Sequence, residues 1–157
     1  MKHIGFIGAS GLMGHGMASN LLKKGFELSV TVHKRREPLA DLLAAGAHEV
    51  ATPAELGACD AVILCVTGSP QVEAALLGPQ GILSHAKLGL VVIDASTSEP
   101  ESTQRLAALC AEKGVTLVDA PLALVMYLMG TPHRRRARQL KEQQEQQNPT
   151  PPQKETL

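Results

Sequence analysis

The chain has no tryptophan, one tyrosine and two phenylalanines in 157 residues. Its interior must therefore be built from Ala, Leu, Val and Ile, and it has few aromatic faces on which nucleic-acid bases could stack. Fifteen basic residues balance fifteen acidic ones, so no single-sign field marks it as a nucleic-acid or membrane-surface binder. No apolar run is long enough to span a bilayer. Charged Lys2 and His3 lead directly into a short apolar stretch rather than a signal-peptide core, and the expected compartment is the cytoplasm. Cys59, Cys65 and Cys110 lack Cys-x-x-Cys spacing and read as reduced structural thiols, Cys65 within a buried strand and Cys110 on a helix. The six histidines are scattered without ligand spacing, so no metal site is expected.

What the chain does have is concentrated in residues 4–26. A strand over Lys2 to Ile7 enters a glycine-rich turn, and a helix from about Leu12 to Lys24 closes on Gly25. A helix start presents unpaired N–H groups and the positive end of its dipole, which suits a pyrophosphate. Gly8, Gly11 and Gly14 leave room for a tight backbone path and for close approach of phosphate oxygens. Their spacing, Gly-x-x-Gly-x-x-Gly, is one residue longer than the dinucleotide fingerprint, with Ser10 near the place of its middle glycine. His15, just beyond, is either a partly exposed helix residue or a phosphate neighbour.

The next strand, Glu27 to Val32, ends in His33-Lys34-Arg35-Arg36, about 20 residues past the turn, where an adenosine ribose is met in such folds. An acid there would bind the 2′-hydroxyl of NAD. Lys34, Arg35 and Arg36 instead suit the 2′-phosphate of NADP, so NADP is the expected cofactor, with NAD less favoured. A solvated basic turn is the alternative.

Apolar runs at Ala61 to Val66, Leu90 to Ile93 and Val115 to Val118 continue the pattern, with helices predicted at Pro38 to Ala45, Pro53 to Leu56, Gln71 to Leu76 and Glu99 to Lys113. The alternation predicts a Rossmann-type, doubly wound α/β domain over residues 1–121, with a mainly parallel sheet and helices on both faces.

Ile4-Gly5-Phe6-Ile7-Gly8, Leu12-Met13-Gly14, Met17-Ala18-Ser19-Asn20-Leu21-Leu22, Ile93-Asp94-Ala95-Ser96-Thr97-Ser98-Glu99-Pro100 and Val118-Asp119-Ala120-Pro121 occur in family order. With these the chain resembles the NADP-binding domain of the β-hydroxyacid dehydrogenases, which include 3-hydroxyisobutyrate dehydrogenase and, more distantly, 6-phosphogluconate dehydrogenase. The resemblance implies a two-domain oxidoreductase that passes hydride between NADP and a small 3-hydroxyacid. It implies that Gly8, Ser10, Gly11, Leu12, Met13 and Gly14 cradle pyrophosphate, that Lys34 or Arg35 faces the 2′-phosphate, that Val66 and Thr67 line the adenosine and ribose crevice, and that Ser96 and Thr97 lie near the nicotinamide ribose. For Ser96 and Thr97, N-capping of the following helix is an equal reading.

After Pro121 the resemblance stops. The family's Val-Ser-Gly-Gly is Leu122-Ala123-Leu124-Val125 here, and no Gly-x-x-Gly-x-Gly-x-x-x-Lys run follows to supply a catalytic lysine. Hydride transfer from an alcohol needs a group to take its proton, so the chain alone is expected to be inactive, as a truncation or shifted reading frame would make it. Residues 122–130 are apolar and either complete the sheet packing or drive self-association. Residues 131–157 are rich in Arg, Gln, Glu and Pro, with Arg134-Arg135-Arg136 near their start, and are expected to be a disordered tail without a nucleic-acid partner. The only tyrosine, Tyr127, has Thr131 four residues later, which disfavours the Tyr-x-x-x-Lys reductases. Two readings remain: an oxidoreductase domain that needs a helical half or partner chain, and a non-catalytic NADP-binding or scaffolding module.

Overall fold

A computed structural model describes residues 2–32 and 36–122. The chain divides into Met1–Leu122 and Ala123–Leu157, and the second part, with Lys34 and Arg35, lies outside the described residues. The apolar segment after Leu122 and the polar tail lie outside them too.

Strands β1 (His3–Ile7), β2 (Glu27–Thr31), β3 (His48–Val50), β4 (Ala61–Leu64), β5 (Val91–Asp94) and β6 (Thr116–Asp119) alternate with helices α1 (Leu12–Lys23), α2 (Ala40–Ala44), α3 (Ser69–Leu77) and α4 (Pro100–Glu112). The six strands form one sheet in the order β3-β2-β1-β4-β5-β6, and every pairing is parallel. This is the doubly wound Rossmann-like arrangement expected from the alternation of apolar runs and helices.

Alternation along each strand divides the core into two layers. Val62 and Leu64 of β4 face Val72 and Leu76 of α3 and Leu106 of α4. Ile63 faces the other way, into a cluster with Phe6, Leu28, Ala18 of α1 and Leu42 of α2. Helices therefore cover both sides of the sheet. Phe6 is fully buried and supplies the aromatic bulk of its layer. Each Leu, Val or Ile side chain so buried contributes about 1.5–3 kcal/mol.

Helix ends follow local chemistry. Gly25 has φ +81°; it donates to Leu22 O and Phe26 to Leu21 O, which closes α1 as a Schellman turn. Gly114 ends α4 in the same way, with Val115 donating to Cys110 O.

Three sequence expectations need correction. The strand expected over Ala61 to Val66 stops at Leu64, which leaves Cys65 half-buried beyond its end. The helix expected at Pro53 to Leu56 is a 3-10 turn over Pro53–Ala58. Strand β3 was not expected, because His48-Glu49-Val50 is largely exposed at a sheet edge and carries no apolar run.

Gly16 lies exposed on α1, and a Cβ added there meets nothing within 4 Å. Gly16→Ala is expected to raise stability by about 0.5–1 kcal/mol through lower unfolded-state entropy. Thermal unfolding should show a midpoint higher by roughly 2–5 °C.

At the amino end of the sheet the Asp60 carboxylate accepts the Lys87 ammonium at 2.8 Å and the N–H groups of Lys2 and His3 at 2.8 and 3.2 Å. The Lys87 contact first, then these N–H groups, hold its carboxyl well below the usual range. A depressed folded-state pKa stabilises the fold above the unfolded value near 4, and that stabilisation is lost as pH falls through the folded value. The melting-temperature advantage of the wild type over Asp60→Asn should therefore be constant near neutrality and shrink progressively below about pH 4. A constant gap across an acid titration would contradict this role.

Candidate functional site

Between β1 and β4 the sheet changes direction of winding. From the carboxyl end of β1 the chain passes to α1 on one face, and from that of β4 to α3 on the other. Such divergence opens a crevice at the carboxyl ends of the strands. Here the cleft has a volume of about 840 Å³.

Its base is the glycine turn. Gly8 has φ +95°, and a Cβ there would stand 2.0 Å from the Cys65 carbonyl oxygen. A Cβ on Gly14 would stand 2.1 Å from the Gly8 carbonyl oxygen. These two glycines let β1, β4 and the first turn of α1 meet at backbone contact. The Gly11 N–H donates to Gly8 O at 3.1 Å, closing the turn around Ala9 and Ser10. A Cβ on Gly11 would touch only Gly8 O, at 3.4 Å, which is ordinary contact. The protein's own packing thus demands glycine at 8 and 14 but not at 11.

Helix α1 starts without a side-chain cap and without an acid in its first turn. Among the described residues none accepts from the N–H groups of Leu12, Met13 or Gly14. A free helix start of this kind attracts an anion. No described residue lining the cleft is charged, so nothing opposes a bound phosphate and no side-chain anion already fills its place. The residues present fit a pyrophosphate.

The remaining walls come from the end of β2 (Thr31, Val32), from Ala51 and Pro53 after β3, from Cys65, Val66 and Thr67 after β4, and from Gln71, Ala74 and Ala75 of α3. Glu55 holds the segment after β3 in place, its carboxylate accepting the N–H groups of Ala51 and Thr52 at 3.0 and 2.9 Å. Cys65 is the one titratable side chain among the described lining residues. Burial first, then the field of Asp94, push its thiol pKa up, so it stays protonated at neutral pH.

The structure brings Gly8, Ser10, Gly11, Leu12, Met13, Gly14, Val66 and Thr67 together on this cleft. Ser96, Thr97 and Arg36 are not among its lining residues. Ser96 is buried and its hydroxyl accepts the Val66 N–H at 3.0 Å. The N-cap of α4 is Glu99, with no side-chain cap bond, so the capping reading of Ser96 and Thr97 does not hold. The Arg36 guanidinium lies 2.7 Å from the Glu49 carboxylate of β3. His15 likewise meets Asp41 at 2.9 Å, joining α1 to α2 outside the cleft lining. Thr31, Ala51 and Gln71 were not singled out as site residues in the sequence; Thr31 ends β2, Ala51 follows β3, and Gln71 lies in the first turn of α3.

Residues 3–123 match the family described as the NAD binding domain of 6-phosphogluconate dehydrogenase. The chain belongs to that family. Among relatives of this domain, the cytokine-like nuclear factor N-PAC of Xenopus tropicalis is 40% identical over 124 residues, which are 78% of this chain and 23% of N-PAC. The 2-(hydroxymethyl)glutarate dehydrogenase of Eubacterium barkeri is 39% identical over 124 residues, 76% of this chain and 40% of the enzyme. The crystal structure of 3-hydroxyisobutyrate dehydrogenase from Salmonella typhimurium superposes with a TM-score of 0.70 at 30% identity, over 77% of this chain and 42% of that one. A structure of Psf3 in complex with NADP+ and 2-OPP gives 0.68 at 31% identity, over 75% and 42% of the two chains. The chain therefore spans about two fifths of the length of the dehydrogenases it matches, and corresponds to their NAD(P)-binding domain. Among the described residues no helix is long and apolar enough to cross a membrane.

Proposed function

We propose that this chain is the NADP(H)-binding domain of a β-hydroxyacid dehydrogenase, serving hydride transfer between NADP and a small 3-hydroxyacid once a helical half is supplied by further chain or a partner. The observation that carries the reading is the uncapped start of α1 above a cleft without charged walls, framed by Gly8 and Gly14. In this reading the backbone from Gly8 to Gly14 holds pyrophosphate, Val66 and Thr67 face the adenosine and ribose, and the segment of Ser96 and Thr97 sits near the nicotinamide ribose. The bound nicotinamide supplies the hydride chemistry. The protein's part here is to bind and orient it.

The selectivity for NADP rests on Lys34 and Arg35. Arg36 already has Glu49 as a counter-ion, so it contributes less. Lys34 and Arg35 replaced together by alanine should weaken NADPH about 10–100-fold, from the loss of one or two charge-assisted bonds, and leave NADH within about threefold. Calorimetric titration of the full chain with NADPH and with NADH, at low and moderate salt, tests both statements. Equal losses for the two cofactors would refute the 2′-phosphate assignment. No binding of either by the wild type would refute the function.

A second reading, a non-catalytic NADP-binding or scaffolding module, draws support from the cleft itself. Among the described residues its lining contains no acid or base besides the protonated Cys65 thiol, and general acid–base help is required for alcohol oxidation. The likeness to N-PAC, described as a cytokine-like nuclear factor, points the same way. Turnover of any 3-hydroxyacid by the purified chain, followed by NADPH absorbance, would exclude this second reading.

A further inference from the structure

Buried Asp94, at the end of β5, lies among polar groups, with no cation against it among the described residues. Its carboxylate accepts the Ser96 N–H at 2.9 Å and the Ser98 hydroxyl at 2.7 Å. Ser96, in turn, accepts the Val66 N–H at 3.0 Å. Both Asp94 and Ser96 are buried, at 1% and 4% exposure, so this is an interior relay rather than a surface network.

Its place in the sheet gives it a consequence. The last registered pair of β1 and β4 is Ile7 with Leu64, and the last of β4 and β5 is Leu64 with Asp94. One step further the Cys65 N–H still donates to Ile7 O, and the Ala95 N–H to Leu64 O. The next β4-side donor, Val66, finds no backbone acceptor among the described residues and takes the Ser96 side chain instead. Ser96 thus extends the β4–β5 ladder by one bond at the point where β4 must leave β1. Val66 and Thr67, which this bond holds on the β5 side, form one wall of the cleft.

The geometry points to Ser96, aimed by Asp94, as a positioning residue that holds the β1–β4 crevice open by anchoring Val66 and Thr67 to β5. This rests on the reading of the crevice as a nucleotide site. Without the anchor, Val66 has an unsatisfied N–H beside a cleft and no tie to β5, so the segment is free to move across the nucleotide's place.

The test is NADPH titration of the full chain, with amide NMR of Val66 and Thr67. Ser96→Ala should weaken NADPH about tenfold, the worth of one hydrogen bond at the wall, move the free-state Val66 amide signal, and abolish the NADPH-induced shift at Thr67 while leaving that at Gly11. Ser96→Thr, which keeps the hydroxyl, should restore affinity to within about threefold of wild type. Asp94→Asn should weaken binding in the wild-type background and add nothing in the Ser96→Ala background, because the two act in series. Cys110→Ala, a truncation of buried α4 packing away from the relay, should lower stability without moving affinity more than about twofold. If Ser96→Ala binds like the wild type, or Cys110→Ala weakens binding as much, the positioning role is overturned. If the wild type itself binds neither NADPH nor NADH, it is the nucleotide reading that fails.

Discussion

Gly8→Ala is expected to lower the stability of the domain by about 2–6 kcal/mol, combining the strain of a positive φ with the cost of forcing neighbours apart. The Cβ would stand 2.0 Å from the Cys65 carbonyl oxygen, which is backbone and cannot rotate away. Relief requires β1 and β4 to separate at the centre of the sheet. Because domains of this size have stabilities of roughly 5–15 kcal/mol, the variant should unfold at markedly lower urea concentration and yield little folded protein. An unfolding midpoint equal to that of the wild type would show that the turn is far softer than its contacts imply.

Gly11→Ala should have the opposite profile. Its Cβ meets only Gly8 O at 3.4 Å, and Gly11 has φ −80° and ψ 157°, open to any residue. The unfolding free energy should stay within about 0.5 kcal/mol of wild type. If the turn cradles pyrophosphate, the new methyl group occupies the line of approach to the N–H groups of α1. Loss of one or two charge-assisted bonds then weakens NADPH and NADH alike by roughly 10–100-fold. Calorimetry on the folded variant separates this from the Lys34 and Arg35 replacements, which should spare NADH. Unchanged affinity for both cofactors would remove the phosphate from this turn.

Much of this was legible because it is local. A glycine turn between a strand and a helix, apolar runs at Ala61 and Leu90, and the closing glycines Gly25 and Gly114 each encode their own conformation within a few residues. What was not legible depends on partners distant in sequence. Nothing about His48-Glu49-Val50 announces a strand, since β3 forms by pairing with β2. Nothing near Ser96 shows that its hydroxyl is used 30 residues away at Val66 rather than on the helix that follows it. Arg36 looked as available as Arg35 until Glu49 was brought beside it by the sheet. The equal spacing of the three glycines likewise hid their division of labour: two answer to backbone contacts made by folding, and the third makes no such demand.

The sheet order also sets where the protein can afford change. β1 and β4 are paired on both sides, whereas β3 is a three-residue edge strand with two exposed positions. Amide hydrogen exchange should consequently be slowest at residues such as Phe6 and Ile63 and fastest around His48 to Val50. The cleft straddles this gradient, with its glycine turn on the rigid centre and Ala51 and Pro53 on the labile margin. Descendants of this chain can rewrite the outer wall, and with it whatever that wall discriminates, by substitutions that leave global unfolding untouched, while the glycine turn stays frozen by the same strands that hold the domain together.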